Sequence, residues 1–254
     1  MMNMMRKYGV SVFMLLLLSL SICRAEKPES IELFNGKNLK HWIPYLQSAS
    51  QDSRQEFQVR DGVIHLSGQF GYLRSEEEYE NYQLHVEWRW PDTTSNSGIF
   101  LHLAPTFKIW PENFECQLQA GNAGDVYVSG ELTCHQYTGE EGQERILPKQ
   151  KASNEKPCKE WNQADILCTG DTITIYINGE LQNQITGLSR TKGFIGLQSE
   201  GYPVEFRNIV LTPIARPKSA TPKTDASATD QPKKKKKASK KAEQPVEAAP
   251  ENAE

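Results

Sequence analysis

Between Ile31 and Ile214, hydrophobic and polar positions alternate with a period of two, the spacing of a strand with one buried and one wet face. Leu84, Val86, Trp88 and Trp90 alternate with His85, Glu87 and Arg89. Ile173, Ile175 and Ile177 alternate with Thr172, Thr174 and Tyr176, and that run ends at Asn178-Gly179, a two-residue hairpin signal. Further strands are predicted at Phe57–Val59, Val63–Ser67, Gly98–Leu103, Phe114–Gln119, Val126–Cys134, Gly193–Gln198 and Glu205–Leu211. Asp61-Gly62 and Glu200-Gly201 mark turns. Only Ser75–Tyr82 reads as helical, and the polar, aperiodic stretch Gln136–Lys159 reads as one long loop. Many short strands at near-regular spacing predict an all-β sandwich.

The two ends differ from this body. Arg6 and Lys7 precede an apolar run, Val10 to Leu20, and Cys23-Arg24-Ala25 follows with small residues where a signal peptidase reads. The run is too short to span a membrane. Residues 1–25 are therefore expected to be a signal peptide and the mature protein to be periplasmic or secreted. A lipoprotein reading through Leu20-Ser21-Ile22-Cys23 ranks second, because Ile22 is bulky before the Cys to be lipidated. From Arg216 onward the chain is mostly Lys, Ala, Pro, Ser, Thr and Glu, with no aromatic residue and an unbroken Lys233 to Lys237 run. Residues 216–254 are expected to be a disordered tail that is either simply solvated or a tether to anionic envelope polymers. The tail lacks interleaved aromatics, which argues against sequence-specific nucleic-acid recognition.

Residues 26–215 then form one domain. Of 29 basic and 32 acidic residues in the chain, the leader holds three basic ones and the tail ten basic and six acidic. The body is left with 16 basic and 26 acidic, a net of −10. An acidic body argues against a polyanionic substrate. Cys116, Cys134, Cys158 and Cys168 are an even count outside the leader, which in an oxidising compartment suggests two disulfides. Of three pairings, Cys116–Cys134 with Cys158–Cys168 closes the shortest loops.

The chemistry concentrates in one strand. In Phe114-Glu115-Cys116-Gln117-Leu118-Gln119, the apolar residues point one way and a carboxylate with two amides the other. That polar row either lines a groove for a polyhydroxylated ligand or is an ordinary wet face. No nucleophile elbow, phosphate loop or metalloprotease helix is present. Sandwich glycosidases of the laminarinase type carry Glu-x-Asp-x-x-Glu on one strand. Aligned on Glu115, this chain has Gln117 and Ala120 at the other two positions, which disfavours ordinary glycoside hydrolysis.

A longer succession of motifs resembles a bacterial family. Leu33-Phe34-Asn35-Gly36-Lys37-Asn38-Leu39 with Trp42, Asp61-Gly62-Val63-Ile64, Gly71-Tyr72-Leu73 and Tyr82-Gln83-Leu84-His85-Val86-Glu87-Trp88-Arg89 open it. Asn96-Ser97-Gly98-Ile99-Phe100-Leu101, Phe114-Glu115-Cys116-Gln117, Glu160-Trp161-Asn162, Gly196-Leu197-Gln198 and Val204-Glu205-Phe206-Arg207-Asn208-Ile209 continue it. The succession resembles the 3-keto-disaccharide hydrolases, also described as 3-keto-glucoside 1,2-lyases and 3-keto-2-hydroxy-glucal hydratases. The resemblance implies a concanavalin-like jelly roll of two antiparallel sheets, with a ligand groove on the concave one. Two positions depart from the family pattern. Members commonly have Arg where this chain has His102, and His near the turn where it has Glu200.

The implied chemistry is elimination. A ketone at C3 of a sugar acidifies the C2 proton, a base removes it, and the glycosidic oxygen leaves C1. Water then adds across the double bond. This needs a tuned base, donors for the enediolate oxygen and an acid for the leaving group. Glu115 is expected as base or metal ligand, and His102 as acid, base or metal ligand. Arg89 is expected to stabilise the oxyanion or simply to pair with Glu87. Asn96, Gln117 and Gln198 suit sugar hydroxyls, and Trp110 and Trp161 suit a pyranose face. A divalent metal on Glu115 and His102 would polarise the keto group. The expected function is thus an exported lyase or hydratase of 3-keto-glycosides. The alternatives are a carbohydrate-binding module of the same fold and a hydrolase of unoxidised glycosides.

Overall fold

The computed structural model describes residues 28–215. The expected signal peptide and the expected tail lie outside them. Fifteen strands occur among the described residues. In chain order the first eight are β1 Ile31–Glu32, β2 Trp42–Leu46, β3 Phe57–Arg60, β4 Val63–Leu66, β5 Gly71–Ser75, β6 Tyr82–Arg89, β7 Gly98–Leu103 and β8 Phe114–Gln117. The rest are β9 Val126–Val128, β10 Ile146–Leu147, β11 Asn162–Thr169, β12 Thr172–Ile177, β13 Glu180–Thr186, β14 Phe194–Ser199 and β15 Val204–Pro213. One sheet runs β13-β12-β11-β6-β15-β4-β3, with β1 added to β15. The other runs β10-β9-β8-β7-β14-β5-β2. Every pairing is antiparallel. The fold is the predicted all-β sandwich.

The alternation in the sequence explains the layering. Leu84, Val86 and Trp88 of β6, with Ile166, Ile175 and Phe206 from neighbouring strands, face Ile99, Leu101, Phe114, Cys116 and Leu197 of the other sheet in one core. Asn178 and Gly179 both take positive φ, 48° and 81°, which closes the β12–β13 hairpin as the dipeptide predicts. Ser75–Tyr82 is not helical. Its backbone bonds outward instead: Glu76 N–H donates to the His41 carbonyl (3.0 Å) and Tyr79 N–H to the Gly193 carbonyl (2.8 Å). The one helix among the described residues is Ser53–Glu56, capped by Asp52. Among the described residues no helix is long and apolar enough to cross a membrane.

The expected disulfides are not formed; all four cysteines are free. Cys168 pairs with Tyr82 at one end of β6. The Cys158 thiol donates to the Trp90 carbonyl just past the other end. Eight strand residues span about 26 Å, against the roughly 7 Å that a disulfide bridges between Cα atoms. Cys116 faces the core between the sheets, and Cys134 lies in a turn closed on Tyr137. The even count misled because the two innermost thiols serve as small apolar side chains. Burial pushes the Cys168 thiol up to about 12 and raises that of Cys116 further, so neither is a nucleophile at neutral pH.

Protein purified without reductant and then denatured should therefore give four free thiols from these positions. In the native state only the half-buried Cys158 should react quickly with a thiol reagent. Recovery of no free thiols at these positions after denaturation would restore the two-disulfide arrangement.

Candidate functional site

The outer face of the seven-stranded sheet carries a cavity of about 290 Å³, just under the usual range for small-ligand pockets. Its floor is made by alternate residues of adjacent strands: Phe100 from β7, Glu115 and Gln117 from β8, Tyr127 from β9 and Gln198 from β14. Loop residues wall it, namely Asn96, Trp110, Asn113 and Glu200. The strand that alternates Phe114 and Cys116 inward thus turns Glu115 and Gln117 into the pocket. Gln119 does not join them, because pairing ends at Gln117 and its side-chain oxygen accepts from Asn122 (2.9 Å).

Glu115 is 6 % exposed, and its Oε1 has no hydrogen-bond partner. Its carboxyl lies across Gly98 on the neighbouring strand, where any Cβ would overlap it. The glycine in Asn96-Ser97-Gly98 therefore makes room for the acid. Burial, and then the negative charge of Glu200, push Glu115 up to about 8. Burial also raises Glu200, while an Asn96 hydrogen bond opposes the shift.

Glu200 is held by the turn that follows β14. Asn96 and Glu200 form a backbone bridge, the Glu200 carbonyl accepts from Ser95 Oγ (3.4 Å), and Gln198 Nε2 donates to Glu200 Oε2 (3.0 Å). Gln117 is fixed differently. Its Oε1 accepts from the backbone N–H groups of Leu118 and Gln119 (3.0 and 2.9 Å), so its amide nitrogen is the group left for a ligand. Oxygens of Asn96, Asn113 and Gln198 have no partner although buried. Leaving such groups unpaired costs about 1–3 kcal/mol each, so the walls of the pocket carry a polar strain that the fold itself does not relieve.

Five of the predicted site residues meet here: Glu115, Gln117, Asn96, Gln198 and Trp110. Four do not. His102 is 1 % exposed and lies against the core, edge-on to Tyr82 and Phe114. Alternation from Phe100 would have placed it in the groove. Instead the β7–β14 register shifts at this point, His102 takes φ 50°, and Leu103 joins the groove-side cluster. This is the effect of a β-bulge. His102 Nδ1 donates to the Arg190 carbonyl (3.1 Å), and burial lowers its pKa to about 4.

Glu87, Arg89 and Trp161 belong to the other sheet's outer face. Glu87 pairs with Arg207 (2.6 Å), not with Arg89, and Arg89 pairs with Glu205 (2.5 Å). Trp161 is held by both guanidiniums, at 4.5 and 4.0 Å from its ring centre. These side chains are satisfied by one another and far from the pocket by topology.

The expected metal pair fails on the same grounds, since Glu115 and His102 point to opposite sides of their sheet. No group of three or more His, Cys, Asp or Glu side chains suited to a metal occurs among the described residues. What surrounds Glu115 is carboxyl and amide oxygen. The sequence reading missed Phe100, Asn113, Tyr127, Ser129 and Ile146 as lining residues, and had Glu200 only as a departure from a pattern. The inward Val126 and Val128 implied Tyr127 and Ser129 by alternation. Nothing marked Ile146, which arrives from the long loop.

Comparison with known proteins supplies the context. The 3-keto-alpha-glucoside-1,2-lyase-like domain matches residues 29–212. No curated protein matches the chain. Two solved structures from Parabacteroides distasonis ATCC 8503, each provisionally described as a glycosyl hydrolase, are similar at 21 % identity. One covers 73 % of this chain and 94 % of its own, with a TM-score of 0.56. The other covers 73 % and 100 %, with 0.51. A Bacillus licheniformis beta-glucanase is similar at 14 % identity, 76 % and 100 % coverage and a TM-score of 0.51. At such identities the likeness concerns the jelly-roll fold.

The raised Glu115 pKa has a consequence for stability. Below pH 4.5 the carboxyl is protonated both folded and unfolded, and burial costs nothing extra. As pH rises from 4.5 toward 8, the unfolded chain ionises and the folded one does not, so stability falls. By pH 7 the loss is roughly 3 kcal/mol. Glu115→Gln should remove it, so the variant's Tm should exceed the wild type's increasingly above pH 5, by roughly 5–10 °C at pH 7. Parallel Tm curves across pH 5–8 would show that Glu115 ionises normally.

Proposed function

The chain belongs to the 3-keto-alpha-glucoside-1,2-lyase-like family, and from that premise we propose that it cleaves 3-keto-glycosides by elimination, with Glu115 and Glu200 as its proton-transfer pair. Its role is carbohydrate-related; the specific reaction is our reading. The observation that carries it is two carboxyls in one pocket, with the deeper one buried and raised to about 8. Near neutral pH burial keeps a proton on Glu115, and Glu200, the less buried of the two, is the member that takes the base's part. The apolar leader Val10 to Leu20 supports an exported enzyme.

The roles follow from that distribution. Glu200 removes the proton from C2 of the bound 3-keto sugar. The electron pair moves to form the C2–C3 enediolate, and the Gln117 amide donates to the developing oxyanion. The enediolate collapses to restore the C3 ketone, forms the C1–C2 double bond and expels the glycosidic oxygen. Glu115 gives that oxygen its proton. The products are the free aglycone and a 3-keto-2-hydroxy-glucal, to which water adds its hydroxyl at C1 and its proton at C2. From the sequence Glu115 is expected as base or metal ligand. Burial, by holding the proton on it, suits it better to the acid's part. Asn96, Asn113 and Gln198 give the pocket polar walls suited to sugar hydroxyls, and Trp110 offers a ring face.

Incubation with a 3-keto-α-glucoside and with its unoxidised parent, followed by mass spectrometry, tests the reading. Only the keto compound should be lost. Glu115→Gln and Glu200→Gln should each lower kcat by about a hundredfold or more. In the wild type, kcat/KM should fall above pH 8 as Glu115 gives up its proton. A rate that rises through pH 8 would make Glu115 the base, and wild-type rates in the variants would remove the pair from the mechanism. Sugar binding without turnover of either compound would make the protein a carbohydrate-binding module.

A further inference from the structure

Tyr176 and Tyr202 are exposed singly, but three other exposed aromatic residues are grouped. Phe70, Phe107 and Trp110 are 46 %, 57 % and 37 % exposed, and all three lie beside the pocket. Trp110 is a wall of the cavity and meets Phe70 edge-on, with ring centres 6.3 Å apart. Phe100 is part of the floor and meets Tyr72 edge-on at 5.9 Å. Tyr72 stacks on Tyr45 at 5.1 Å, and Tyr45 stacks on Phe107 at 6.5 Å. Trp110 and Phe70 thus carry exposed ring faces outward from the cavity, and Phe107 is tied to the floor by ring contacts that run through Tyr45 on β2 and the buried Tyr72 and Phe100.

The surface is braced. Phe107 and Trp110 sit on the segment between β7 and β8, and that segment is tied down where the Tyr72 hydroxyl donates to the Lys108 carbonyl (3.2 Å). The buried Arg74 guanidinium packs under the Phe107 ring at 4.3 Å and against Phe194 at 4.0 Å. Exposed rings held in place from below, next to a polar cavity, form a ligand surface rather than stray apolar residues.

We infer that this surface is a second subsite that takes a flat aromatic aglycone of the sugar held in the pocket. The inference rests on the proposed reading of the pocket. Two observations choose the occupant. Trp110 is at once a wall of the cavity and the partner of Phe70, so a group on these rings lies within reach of what fills the cavity. The surface's exposed members Phe70 and Phe107 are phenyl rings without hydroxyls, and of the two phenols beneath, the Tyr72 hydroxyl is already bonded to the Lys108 carbonyl and only Tyr45 adds another. A second sugar would find stacking there but few partners for its hydroxyl groups, whereas an aryl group needs only the ring faces.

The experiment uses the full chain, phenyl and methyl 3-keto-α-glucosides, and a 3-keto-disaccharide. Dissociation constants are measured by calorimetry on the slow Glu115→Gln background, and kcat and KM on the active enzyme. Adding Phe70→Ala and Phe107→Ala should weaken phenyl glucoside binding about tenfold and leave methyl glucoside binding within about twofold, since two ring contacts are lost. Both positions are exposed, so the melting temperature should not move. Equal weakening of both ligands, or none for the phenyl compound, would overturn the subsite. Selective weakening of the disaccharide instead would also overturn it, in favour of a sugar. Failure of the elimination reading is distinguishable: the active enzyme would then turn over none of the three compounds, while the binding comparison would still report on the aromatic surface.

Discussion

A carboxyl group buried with one oxygen unpartnered is the constraint around which this site is organised. Glu115 reaches that position because it alternates with Phe114 and Cys116, which the core takes. It stays there because Gly98 gives it room. An unpaired buried carboxylate is costly, so the fold stores the group in its protonated form. Glu200, latched beside Asn96 by the turn after β14, keeps a second acid near enough for its charge to raise the first. A proton at neutral pH in a polar cavity is what acid-assisted cleavage of a sugar derivative needs.

The two outer faces of the sandwich contrast in a way that separates architecture from chemistry. On the eight-stranded sheet the charges close on each other: Glu87 with Arg207, Arg89 with Glu205, His85 with Asp165 at 2.7 Å and His65 with Glu205 at 2.8 Å. Trp161 lies under two guanidiniums. Nothing on that network is left for a ligand. On the seven-stranded sheet, oxygens of Asn96, Asn113, Glu115 and Gln198 are buried without partners, and aromatic rings stay exposed beside them. The charges of one face are paired with one another, while the other face holds the pocket and its two carboxyls.

Much of this was legible in the sequence. Period-two alternation gave β6, β7, β8 and β12, and Asn178-Gly179 gave the hairpin. The same alternation put Glu115 and Gln117 together off the core. It could not say which strand belonged to which sheet, so Glu87, Arg89 and Trp161 looked like partners of Glu115 when they face the opposite side. Nor did it carry the bulge at His102. One extra residue in β7 reverses the side chains beyond it, and nothing local to Leu101-His102-Leu103 announces that. Cysteine parity failed because it counts thiols without placing them. Glu200 stood out only as a departure from a family pattern, and the structure places that departure in the pocket, beside Glu115.

The central claim is that Glu115 and Glu200 hold one proton between them at neutral pH. Carboxyl-carbon NMR of protein labelled at glutamate, assigned through Glu115→Gln and Glu200→Gln, measures this directly. The account predicts that the Glu115 carboxyl carbon keeps its protonated shift at pH 7 and titrates near pH 8, and that its midpoint drops when Glu200 loses its charge. Titration of both carboxyls below pH 5, with neither midpoint responding to removal of the other, would contradict it.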